Sequence, residues 1–439
     1  MTSSPHDVAP PYESMSSYPY PRPLLRHTYT SKDAEIEIGS HASHPGSVPI
    51  FFTGSVVAGS VSLRTSAAAD MPKSIVVKIE GCGADHTGGQ SLHEPFWRLS
   101  TTIYPPFVSR GTTSSFETIH RPVHGKHVFP FSLQIPKTIT PLNPRGNSHQ
   151  YDLPPTFTDQ LAYSIHYTMF VEFKRGLMRL DESIQIRFLH FPIARPGRPM
   201  SLLRCNAYSR GLPLPPPSVE PGDYTSSIIP IKGRLLNGAT VCVQCELCLT
   251  QPTAYLPGKP LHFFLKLFTS PGTSQNDAFL GQAIDILSAP ASIKVYMQRH
   301  ATLSRAGHDH VSEIIATATT WRLRALDTEP NEGIERIMQG EMALPPDLLP
   351  GFVFPPLRLE YRVNLTIDAH VPGFSILPTA SPAQRGSPLL SYPVTIINTS
   401  LIGEPLPPYY APHPQHVSAR DVQHITPRSP PRRSLTESE

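Results

Sequence analysis

Apolar and polar residues alternate with a period of two through much of the chain, the pattern of strands with one face buried. The stretch 161–173 (LAYSIHYTMFVEF) carries it furthest. Leu161, Tyr163, Ile165, Tyr167, Met169, Val171 and Phe173 fall on one face, and Ala162, Ser164, His166, Thr168 and Phe170 on the other. This predicts one long half-buried strand. A polar turn at 174–177 (KRGL) and the alternating stretch 181–188 (DESIQIRF) make the pair a hairpin. Shorter β-branched runs precede it at 34–38, 48–52, 56–63, 74–79 and 127–135, with a loop-rich region from about 80 to 125. Strands resume at 227–231, 240–250, 260–268, 292–297, 314–322 and 357–369, and 278–286 reads as a short helix.

Proline sharpens this picture. The 439 residues include 52 prolines and only 16% charged residues; proline at that density excludes long helices and favours short strands between many turns. An all-β protein is expected. The text 195–226 is too proline-dense for a packed core and reads as a linker, with 1–28 a disordered leader and 401–439 a disordered, Pro/Ser-rich tail.

Self-similarity divides what lies between. An aromatic, a glycine turn and a strand occur at 50–63 and again at 253–268, and SIVVKI at 74–79 is answered by SIKVYM at 292–297. A third pair sets 127–173 against 337–369. Loop lengths differ while the order holds, as expected of one β-sandwich used twice, at 29–194 and 227–400.

These segments resemble the arrestin-like family, the α-arrestins in particular. The resemblance rests on GSVVAGSVSL at 54–63, FPFSLQIP at 129–136, LPPTF at 153–157 and IHYTM at 165–169; the second half matches more loosely, at YLPG (255–258) and 344–365. It implies two tandem immunoglobulin-like sandwiches, a concave cargo-facing surface and an adaptor without an active site. The α-arrestins recruit HECT-type ubiquitin ligases through PPxY motifs read by WW domains. Here Pro407, Pro408 and Tyr410, with Tyr409 as spacer, form such a motif. Polyproline II is already extended, so it loses little entropy on docking; its prolines stack in an aromatic groove and the tyrosine fills a second pocket. The expected partners are a HECT-type ligase and the cytoplasmic regions of membrane transporters or receptors. The expected place is the cytoplasm, with recruitment to plasma membrane or endosome. A retromer-subunit type of sorting scaffold shares the fold and is the alternative.

Lys174, Arg175 and Arg179 at the hairpin tip are candidates for acidic cargo or anionic lipid, against a solvated turn. Ser429 and Ser434, flanked by proline and arginine, are candidate phosphosites. Cys242, Cys245 and Cys248 imitate an iron–sulfur run, but strand alternation sends Cys245 to the opposite face from the other two. The stretch 81–86 (GCGADH) begins like a dinucleotide fingerprint yet has no following helix and reads as a loop; 308–310 (HDH) reads as a solvated loop. The sequons at Asn364 and Asn398 are read as chance. A net charge of +3 from 37 basic and 34 acidic residues does not suit nucleic acid, and no apolar run reaches membrane-spanning length. No catalytic constellation, metal or cofactor is expected.

Overall fold

The computed structural model describes residues 24–410 apart from 66–70, 86–91, 106–124, 143–148, 159–162, 176–179, 270–276, 290–291, 305–308, 324–333, 369, 378–386 and 402. Strands take 58% of these residues and α-helix only two short segments, so the all-β expectation holds.

The first half contains β1 (Leu25–Thr30), β2 (Ala34–Ser40), β3 (Ile50–Phe52), β4 (Val56–Thr65), β5 (Ser74–Asp85), β6 (Leu92–Tyr104), β7 (Gly125–Gln134), β8 (Thr138–Ile139), β9 (Tyr151–Asp152), β10 (Phe157–Thr158), β11 (Tyr163–Lys174) and β12 (Glu182–Phe191). Then come α1 (Leu202–Arg210), β13 (Tyr224–Leu235), β14 (Thr240–Thr250), β15 (Ala254–Tyr255), β16 (Pro260–Phe268) and α2 (Asp277–Leu287). The chain continues with β17 (Ile293–Leu303), β18 (Asp309–Thr317), β19 (Thr319–Arg322), β20 (Glu335–Ala343), β21 (Phe352–Phe354), β22 (Leu357–Ile367), β23 (Phe374–Ile376) and β24 (Leu390–Ile396).

The same strand order occurs twice. In the first half one sheet runs β1-β2-β4-β7 and the other β3-β12-β11-β5-β6, with β10 pairing β11. In the second half β13-β14-β16-β20 repeats the first order, extended by β23 and β19. The order β15-β24-β22-β17-β18, with β21 pairing β22, repeats the other. The short parallel pairing is repeated as well: β3 runs beside the end of β12, and β15 beside the end of β24. No sheet among the described residues mixes strands of the two halves.

The long strand β11 meets its expectation: Ile165, Tyr167, Met169, Val171 and Phe173 are all buried, and Phe173 lies opposite Glu182 in the hairpin with β12. Each such side chain removed from water is worth about 1.5–3 kcal/mol. The two halves meet through aromatic rings. Phe354 stands 4.7 Å from Phe96 and 6.0 Å from Tyr151, and Phe352 5.7 Å from Phe157. Asn398 joins them by polar contacts, accepting from the Ala194 amide at 2.9 Å and donating to the Pro192 carbonyl at 2.6 Å.

Several expectations change. Leu25–Thr30, of which 25–28 were assigned to the leader, is an edge strand paired with β2. The region expected to be loop-rich holds β6, whose Pro95 sits at the edge of its sheet beside a break in register, where the missing N–H disrupts no inner ladder. The supposed loop at 81–85 is the end of β5. A Cβ on Gly81 would stand 2.7 Å from Phe96, and one on Gly83 2.0 Å from Tyr163, so both glycines make room for rings. The single strand expected at 314–322 is two strands of different sheets, β18 and β19. Asp309 and His310 open β18, and the His310 ring stacks 5.4 Å from His300; His308 lies outside the described residues. The short helix at 278–286 is present as α2.

Candidate functional site

The proline-dense stretch expected to be a bare linker builds one wall of the site. Ser201 caps α1 by accepting from the Arg204 amide at 3.2 Å. Gly211 ends the helix in the left-handed region, φ 63°, with its amide on the Tyr208 carbonyl and the Leu212 amide on the Ala207 carbonyl. Tyr208 and Leu214 turn inward and join Tyr224, Cys248 and Phe264 in a small buried cluster on the outer face of the β13-β14-β16-β20 sheet.

That covering explains β16. Leu261, Phe263, Leu265 and Leu267 face the main core, while His262 and Phe264 point to the other side and are buried there as well. His262 lies directly opposite Glu341 of β20 in the ladder, its Nε2 3.5 Å from the Glu341 carboxylate, and its Nδ1 is 3.0 Å from the Tyr208 hydroxyl. Two polar side chains on adjacent strands are thus held away from water.

Tyr410 completes the arrangement. Its amide donates to Glu341 at 2.5 Å, its ring lies 5.0 Å from that of His262, and its hydroxyl donates to the Leu212 carbonyl at 2.6 Å. Burial, and then the Glu341 charge, push its phenol up to about 12. Upstream, Glu404 accepts from the Met200 amide at 2.8 Å, and Tyr409 is exposed but donates to the Gly258 carbonyl at 3.3 Å. Pro405 and Pro407 line a cavity of about 60 Å³ with Arg204, Tyr208, Tyr255 and His262. Residues 403–410, assigned to a disordered tail, therefore lie along the second half of the molecule. Residues 411–439, with Ser429 and Ser434, lie outside the described residues.

Arg204 is buried in the same place. Its Nη2 donates to the Gln251 carbonyl, while Nε and Nη1 have no hydrogen-bond partner among the described residues.

The other candidates stand apart from this site. Lys174 lies 3.2 Å from Glu172 and 3.3 Å from Asp181, and Arg175 lies 3.0 Å from Glu182. Glu172 and then Asp181 raise the Lys174 pKa, and the Arg175 amide and then Lys174 lower that of Asp181, so both cations described at the tip already have counter-charges. Arg179 lies outside the described residues. Cys245 belongs to the main core and Cys248 to the outer cluster, on opposite faces of β14, and burial pushes both thiols up to about 12. Asn364 is 1% exposed on β22, so the folded chain presents no glycan acceptor there. No helix among the described residues is long and apolar enough to cross a membrane, and no group of three or more His, Cys, Asp or Glu among them is placed to hold a metal ion.

The residues that receive Tyr410 were missed in the sequence because they are scattered over Leu212, His262 and Glu341. One signal was available. His262 interrupts PLHFFLKLF, a run apolar enough to be covered on both faces, and a polar residue there demands a partner. No protein-family model matches the chain, and a search of curated proteins gives no match either.

Proposed function

We propose that the chain is a non-enzymatic adaptor of the arrestin-like kind: two tandem sandwiches that bind the cytoplasmic region of a membrane protein, with Pro407, Pro408 and Tyr410 recruiting a HECT-type ubiquitin ligase through its WW domains. The observation that carries the reading is the doubled strand order, β1-β2-β4-β7 with β3-β12-β11-β5-β6, then its repeat, with a Pro-Pro-x-Tyr motif directly after the second copy. On this reading the first sandwich begins with β1 and the second with β13, each a few residues earlier than the 29 and 227 read from the sequence, and the protein works in the cytoplasm, recruited peripherally to plasma membrane or endosome. It brings ligase and cargo together and performs no chemistry itself.

The test is binding of a peptide spanning residues 400–410 to isolated WW domains, with Tyr410→Ala as control. Binding lost in the control supports the ligase arm; no difference between the two peptides removes it.

A second reading gains from the seating of Tyr410. If the motif is purely a packing element, the chain is a sorting scaffold of the retromer-subunit type. It then co-purifies with a stable coat-like complex whether or not Tyr410 is replaced by alanine.

A further inference from the structure

We infer that the Pro-Pro-x-Tyr motif is held by its own protein: Tyr410 occupies an intramolecular seat formed by Leu212, His262 and Glu341, and a WW domain must displace it to bind. This rests on the ligase reading above and adds how access to the motif is controlled.

The seat uses the parts of the motif that a WW domain would need. Recognition of a proline-rich ligand stacks its prolines in an aromatic-lined groove, and the motif tyrosine fills a neighbouring pocket. Here the Tyr410 ring lies against His262 and its hydroxyl is committed to the Leu212 carbonyl. Its amide is committed to Glu341, and Pro407 lines the cavity beside Arg204 and Tyr208. Tyr409, the spacer whose identity the motif leaves open, is the exposed tyrosine, at 54%. One tyrosine side chain cannot occupy both places.

The seat is also built to hold an aromatic residue. Tyr410 packs against the cluster of Tyr208, Leu214, Tyr224, Cys248 and Phe264, and the buried Glu341 meets it with a carboxylate. Removing Tyr410 takes away one of the groups facing that carboxylate. Glu404 on the Met200 amide and Tyr409 on the Gly258 carbonyl tether the strap ahead of it. Release therefore means peeling residues 404–410 from the β16-β20 face, without unfolding a strand.

When the competent state is a fraction of the population, apparent affinity falls by that fraction. The experiment compares one WW domain binding to the 400–410 peptide, to the full chain, and to the full chain carrying Glu341→Gln, which lies outside the peptide. The expected result is full-chain binding at least about tenfold weaker than peptide binding, with Glu341→Gln recovering part of the difference. Hydrogen exchange of the Tyr410 amide, which the seat bonds to Glu341, provides a second readout: slow in the free wild-type chain and faster in Glu341→Gln. Peptide and full chain binding within twofold of each other, or a Tyr410 amide that already exchanges fast in the free wild-type chain, overturns the seat. A peptide that fails to bind overturns the ligase reading itself, and the seat's regulatory role with it.

Discussion

The hydroxyl of Tyr410 donates to the carbonyl of Leu212 at 2.6 Å, joining two residues 198 positions apart in the chain. The bond ties the motif to the residue that follows Gly211, the left-handed cap of α1.

Tyr410→Phe keeps the ring against His262 and removes this bond. A hydrogen bond of this kind contributes about 1 kcal/mol. Denaturant unfolding should show a loss of that order, and exchange of the residue-410 amide should quicken while the strands of the first half keep their protection.

His190 gives the first half a pH dependence. It is fully buried on β12; its Nδ1 donates to the Pro154 carbonyl at 2.9 Å, so Nε2 accepts from the Thr53 hydroxyl at 3.0 Å. Desolvation pushes its pKa down from 6.5 to about 4. The unfolded chain therefore binds this proton first, and the contribution of His190 is fully present above pH 6.5 and lost as pH falls towards 4. The loss is about 3 kcal/mol at most. Melting temperatures measured between pH 7 and pH 4 should fall, and His190→Gln should flatten the part of the decline due to this group.

Phe354→Ala should weaken the join between the halves. The ring is 1% exposed and meets Phe96 and Tyr151 of the first half. Loss of a buried aromatic side chain costs about 3–5 kcal/mol. Calorimetry should show the unfolding transition lowered, and broadened or split as the halves lose their shared contact.

Thiol labelling checks the placement of β14. Cys245 and Cys248 are buried with their pKa values pushed up to about 12, whereas Cys242 is half-buried. Iodoacetamide at pH 8 should modify Cys242 in the native chain and reach Cys245 and Cys248 only after denaturation, as peptide mass spectrometry would record.

The sequence was most readable where one face of a strand is wet. The alternation of β11 and its hairpin with β12 could be read residue by residue, as could the opposite facing of Cys245 and Cys248. Strands were lost where local chemistry opposes the ladder. Pro95 in β6 and Pro393 in β24 look like breakers, yet Pro95 stands on an edge strand and Pro393 lies beyond the short pairing of β24 with β15. The glycines at 81 and 83 look like a loop because the rings that require them come from β6 and β11. The seat of Tyr410 was hidden for a similar reason. Composition marks 401–410 as tail, and only the folded sheet brings Glu341 and His262 side by side beneath it.

Recruitment of the ligase is tested most directly by affinity purification of the full chain from cells, with native Tyr410 and with Tyr410→Ala. A HECT-type ligase should be recovered with the native chain and lost with the variant; equal recovery from both, or no ligase with either, rules out recruitment through the motif.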